Sequence, residues 1–125
     1  MRFENFIKDL HINKITEFDA LIIVPSDACD GCVRKCLNTI SQKPNVLFIL
    51  LTTGQKDIFY FKKKFNLTND ALEVSNVFIE TQGIAIKKGV YSGYPYILQI
   101  DSEMNVLERI ELNALSIEKA LANLR

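Results

Sequence analysis

No charge of either sign predominates in this sequence: 15 lysines and arginines cancel 15 aspartates and glutamates. A neutral balance removes the electrostatic case for a nucleic acid or an anionic membrane surface as partner. Long apolar runs are missing too. The longest, Val46 to Leu51, is far short of the roughly 20 residues that a transmembrane helix needs, so a soluble chain without membrane insertion is predicted. The amino end, Met1 to Asp9, mixes charges into its apolar positions and lacks the continuous apolar core of a secretory signal. That pattern predicts a cytoplasmic protein as the sequence stands, with a periplasmic location as the alternative for a chain whose leader has been removed. No repeat, low-complexity stretch or Gly/Ser linker divides the sequence. Its 125 residues, 48% hydrophobic and 24% charged, suit one domain with its own core. Cysteine is scarce, and its odd count of three argues against a framework of structural disulfides.

What is present reads as an alternation of helices and strands. Phe3, Phe6, Ile7 and Leu10 form one stripe of an amphipathic helix, predicted to pack as an N-terminal extension (residues 1–17) on a core of residues 18–125. Ala20 to Val24, closed by Pro25, is a β-branched run suited to a strand buried on both faces. Cys29, Cys32, Val33, Cys36, Leu37 and Ile40 then fall at helical spacing. Val46 to Leu51 is a second buried strand, and Thr52-Thr53-Gly54 leads into a helix with Ile58, Phe61 and Phe65 facing inward. Strand, helix, strand, helix predicts a parallel unit with right-handed crossovers. Val77-Phe78-Ile79 reads as a third strand and Gln82 to Lys88 as a short helix stopped by Gly89. Ile97 to Ile100 and Val106 to Leu112 flank a turn and predict an antiparallel hairpin. Leu115, Ile117, Leu121 and Leu124 mark a last helix, with Ser116 as its cap and Glu118 in its first turn. The sum is an α/β fold, a mixed sheet of four or five strands flanked by helices.

All three cysteines lie within Cys29-Asp30-Gly31-Cys32-Val33-Arg34-Lys35-Cys36, at a strand-to-helix junction. In an open α/β sheet, ligand chemistry gathers beyond the carboxyl ends of the strands. A thiol reacts as its thiolate, and the unpaired N–H groups and partial positive charge at a helix N-terminus favour that form. Cys29 is therefore the expected nucleophile. Cys32, one turn deeper, is placed to attack a mixed disulfide formed at Cys29 and release the partner.

With these residues the chain resembles the thioredoxin-like thiol-disulfide oxidoreductases over about residues 18 to 124. The segments Val77 to Glu80, Ile86 to Val90 and Gly93 to Asp101 resemble most closely the cytochrome-maturation and peroxiredoxin-like branches. The resemblance implies a thioredoxin-like fold, a reversible dithiol without cofactor or metal, and a monomer whose partners are a disulfide-containing protein and an electron-donor redox protein. It also implies that Pro95 is a cis-proline facing the dithiol, that the backbone there pairs with an incoming polypeptide, and that Tyr94 lines the site. Strand pattern alone reads Pro95 as a trans residue at a strand edge. The chain departs from the family in having Ala28 where many members have Trp, and Asp30-Gly31 where they have Gly-Pro. It also has Ile23, expected behind Cys32, where many carry a buried carboxylate. Asp27 and Asp30 set negative charge beside the thiols, which opposes the thiolate and predicts a reducing dithiol.

Other readings compete. Cys36, one turn beyond Cys32, is a small buried hydrophobe or else an accessory thiol. Zinc would need the three cysteines and the distant His11, but a C-x-x-C that opens a helix after a buried strand is a redox signature. Ser26, three residues before Cys29, matches a hydroxyl of thiol peroxidases, whereas Ile22 stands where they have proline. A binding or scaffold domain with a regulatory dithiol is the remaining alternative. Lys62-Lys63-Lys64 reads as a solvated helix face, and Asn66-Leu67-Thr68 is a sequon only where glycosylation occurs.

Overall fold

The computed structural model describes residues 2–13, 15–52, 54–68, 70, 74–113 and 115–124. Strands β1 (Ala20–Pro25), β2 (Val46–Leu51), β3 (Val77–Glu80), β4 (Tyr96–Ile100) and β5 (Val106–Glu111) form one sheet in the order β3-β2-β1-β4-β5. The β1–β2 and β2–β3 pairs are parallel, whereas β1–β4 and β4–β5 are antiparallel. The helices are α1 (Arg2–Asp9), α2 (Asp30–Thr39), α3 (Gln55–Lys64), α4 (Ile84–Lys87) and α5 (Ile117–Ala122). None among the described residues is long and apolar enough to cross a membrane.

Every residue of β1 and β2 is buried, as their unbroken apolar runs require, and the period of two divides them between two cores. Ala20, Ile22, Val24, Val46, Phe48 and Leu50 face α2, α3 and α5, where Val33, Cys36, Phe61, Phe65, Ile117 and Leu121 meet them. Because β1, β2 and β3 advance in one direction across the sheet, right-handed crossovers put α2 and α3 on the same face. Leu21, Ile23, Leu47, Ile49 and Leu51 point the other way, toward Phe6, Ile7 and Leu10 of the α1 segment and Ala85 of α4.

Several elements depart from the pattern read in the sequence. The short helix is confined to Ile84–Lys87, because the buried Glu80 carboxylate accepts the N–H groups of Gln82 and Ile84 and holds the residues between as a capping turn. Gly83, in that turn, and Gly89, just past the helix, both take the left-handed conformation that glycine tolerates. Leu115 does not join the apolar stripe; it is 98% exposed in the turn before α5. Ser116 does not cap α5 with its side chain. Its hydroxyl is taken by Asn113 Oδ1, which also accepts the N–H groups of Leu115 and Ser116. Thr53 lies outside the described residues. Asn76, which carried no signal in the sequence, is buried, and its amide donates to the carbonyls of Ile40, Lys43 and Val46. It thereby ties the loop after α2 to the edge of the sheet.

Candidate functional site

β1 ends at Pro25, and two backbone bonds turn the chain over the carboxyl end of the sheet: Ser26 N–H to Leu51 O at 3.0 Å and Ala28 N–H to Pro25 O at 3.1 Å. Ala28 is buried beneath this turn. Cys29 follows as the N-cap of α2; its Sγ accepts the Cys32 N–H at 3.2 Å. That places the sulfur where orphan helix N–H groups meet an anion, the position that favours a thiolate once the protein is reduced. Cys29 and Cys32 are joined by a disulfide, with Cα atoms 5.3 Å apart. The two sulfurs differ in access, since Cys29 is exposed and Cys32 is 2% exposed.

Around the pair, Asp30 is ion-paired with Lys64 at 2.8 Å on the exposed surface. Gly31 is exposed with open space beside its Cα. Asp27 is exposed, and its carboxylate accepts a hydrogen bond from the Tyr91 hydroxyl. A cleft of about 180 Å³ opens beside this turn, lined by Ser26, Asp27, Asp57, Glu80, Ile86 and Tyr91 among others. Ser26 Oγ donates to Asp57 at 2.8 Å. Burial, the Asp27 hydrogen bond and the charges of Asp27 and Asp57 all raise the Tyr91 hydroxyl above its usual range, burial most.

Cys36 is free and fully buried, and burial pushes its thiol up to about 12 from an ordinary 9.0. Between those values the unfolded chain loses this proton while the folded protein keeps it, so the thiol lowers stability progressively as pH rises from about 9 toward 12. Tyr91 and Tyr96, both raised above 10.0, add to the loss from a higher onset. Cys36→Ala should flatten the first part of that decline when denaturant midpoints are compared between pH 8 and pH 10.

Two expectations about this site are corrected. Pro95 is trans: among the described residues no peptide bond is cis. It leads straight into β4, its carbonyl accepting the Leu112 N–H at 2.8 Å, and this extended course suits the trans form that even X-Pro bonds prefer. The register of β1 with β4, Ile23 opposite Tyr96, still brings Pro95 to the sheet end that carries the dithiol. Tyr94 is half exposed. Ile23 does not stand behind Cys32: it packs with Phe6, Ile7 and Leu10 on the opposite face, whereas Ile22 and Val24 share the cluster of Cys32. A side chain at position 23 points away from the dithiol because parity along the strand decides the face.

For the zinc reading, two of its three thiols are tied to each other, and among the described residues no group of His, Cys, Asp and Glu is arranged to hold a metal. The residues that sequence reasoning missed are Asp57, Glu80 and Tyr91. Only Glu80 left a trace, an acidic residue ending an apolar strand.

No protein-family model matches the sequence, and no curated protein does. Among solved structures, a Chlorobium tepidum protein provisionally designated thiol:disulfide interchange protein DsbE is similar, with 17% identity and a TM-score of 0.54 over 91% of this chain and 79% of that one. A secreted Mycobacterium tuberculosis disulfide oxidoreductase homologous to E. coli DsbE gives 13% identity and 0.48 over 84% and 80%. A thioredoxin-like protein from Aeropyrum pernix gives 15% and 0.44 over 86% and 78%. The fold of this chain is thioredoxin-like. The cytoplasmic expectation is not upheld: of these proteins, the one whose location is stated, that from Mycobacterium tuberculosis, is secreted.

Proposed function

We propose that the protein is a thiol-disulfide oxidoreductase in which Cys29 attacks a disulfide of a partner protein and Cys32 resolves the mixed disulfide. The observation that carries this reading is the asymmetry of one bonded pair, an exposed sulfur at a helix N-cap joined to a buried one a turn deeper. In the reducing direction, the Cys29 thiolate bonds to one substrate sulfur and the other leaves as a thiolate. Cys32 then loses its proton, bonds to Cys29 and frees the second substrate sulfur. Two electrons pass from the dithiol to the substrate. An electron-donor protein reverses the sequence to regenerate the dithiol. The whole chain acts as one domain in this reading, with Tyr94 and Pro95 at the edge of the surface that receives the partner.

One observation favours a second reading, a thioredoxin-fold binding domain with a regulatory dithiol: the trans Pro95 removes the geometry by which the resemblance had a partner strand dock beside the sulfurs. The reduction potential of the Cys29–Cys32 couple separates the two. Exchange chemistry requires a value between about −120 and −270 mV, within the range of cellular exchange proteins, whereas a value below about −300 mV marks a bond that glutathione cannot open. Equilibration against glutathione or dithiothreitol, with the two forms separated by alkylation and mass, gives the number. The lower value would retire the exchange reading in favour of the second.

A further inference from the structure

Two carboxylates flank Cys29 in sequence, and each oppose a thiolate. They are disposed of differently. Asp30 has the Lys64 ammonium of α3 at 2.8 Å. Asp27 has a neutral partner, the hydroxyl of Tyr91, which arrives from 64 residues along the chain. Both Asp27 and Tyr91 line the cleft at the carboxyl end of the sheet; Cys29 does not.

We propose that Tyr91 is a positioning residue for the dithiol: its hydroxyl holds the Asp27 carboxylate in the cleft, away from Cys29 Sγ, so that the reduced protein keeps its thiolate at neutral pH. This rests on the exchange reading of the site.

The latch is well founded on its own side. Val90, next to Tyr91, is buried; its N–H bonds to Ala85 O at 2.9 Å and its carbonyl accepts the buried Tyr96 hydroxyl at 2.9 Å. The backbone that presents Tyr91 is thus fixed to α4 and to β4. The other acidic groups of the cleft have donors of their own: Asp57 accepts from Ser26, and Glu80 from the N–H groups of Gln82 and Ile84. Tyr91 remains a protonated donor throughout the range in which thiols titrate, because its hydroxyl is shifted upward. Without the hydroxyl, the exposed Asp27 side chain is free to sample rotamers, some of which bring its charge toward the sulfur two residues on.

A double-mutant cycle on the reduced protein tests this, with the rate of Cys29 alkylation by iodoacetamide followed against pH and assigned by mass. Tyr91→Phe should raise the apparent pKa of Cys29 by about half a unit, so that alkylation slows about threefold at pH values below that pKa, the size expected for one unit charge several ångströms away in near-aqueous surroundings. Asp27→Asn alone should change the rate less than about twofold, because the latched carboxylate already faces elsewhere. The double variant should match Asp27→Asn, since Tyr91 acts only through that charge. High salt should shrink the Tyr91→Phe effect by screening, which a general loosening of the site would not show. Equal slowing by Tyr91→Phe in both backgrounds, or no slowing at all, would overturn the proposal. Should Tyr91→Phe fail to fold, Asp27→Asn decides alone: a marked acceleration would mean the carboxylate already faces the sulfur, and the latch is wrong. The cycle reads Cys29 ionisation whether or not the protein turns over a disulfide, so failure of the exchange reading appears separately, as a potential below the working range.

Discussion

Replacing Cys32 by Ser should turn the reduced protein into a trap that accumulates partners as mixed disulfides with Cys29. The exposed N-cap sulfur retains its N–H donor and its access, so the first exchange proceeds. The release step needs a second sulfur one turn deeper, and serine supplies none. Cys29→Ser should abolish both trapping and turnover, dropping the reduction of a test disulfide protein to the uncatalysed rate. The buried Cys36 cannot substitute, because its thiol stays protonated to about pH 12 and has no access to solvent. Non-reducing gels and mass mapping of adducts from a lysate check both outcomes. A Cys32→Ser protein that traps nothing, with Cys29 alkylating no faster than Cys36, would contradict the assignment of nucleophile.

Phe6→Ala should cost about 3–5 kcal/mol, the usual range for removing a buried phenylalanine, and a large share of the 5–15 kcal/mol that domains of this kind possess. Phe6 is fully buried and packs in the cluster with Leu21, Ile23, Leu47 and Ile49. Without the α1 segment, those strand residues would face water. Denaturant midpoints at constant slope measure the loss, and Lys8→Ala on the exposed side of α1 should shift the midpoint by less than about 0.5 kcal/mol. A Phe6→Ala cost as small as that of Lys8→Ala would show α1 to be an appendage. A large one makes the α1 segment part of the core beneath the sheet.

Much of the fold was legible because it rests on local pattern. Ala20 to Val24 and Val46 to Leu51 are unbroken apolar runs, and a strand buried on both faces is the structure that uses such a run. The C-x-x-C at the helix start fixed which sulfur would be exposed, because an N-cap position and one three residues later differ in depth whatever surrounds them. Elements whose limits depend on a distant or nearby side chain were misread. Glu80 shortens the helix after it by holding backbone N–H groups, and Asn113 takes the capping part assigned to Ser116.

The sequence by itself determined the order of helices and strands, the alternation of faces along the buried strands and the placement of Cys29 and Cys32, because each depends on spacing along the chain. Only the tertiary structure decided what surrounds the dithiol. The packing of α2 on one face of the sheet left Ile23 on the other, away from Cys32, and the β4 ladder took Pro95 as a trans residue. The crossover through α3 brought Lys64 to Asp30, and the segment after α4 brought Tyr91 to Asp27. These partners lie 34 and 64 residues apart. Their pairing follows from how the elements pack across the carboxyl end of the sheet, a relation that no periodicity along the chain encodes.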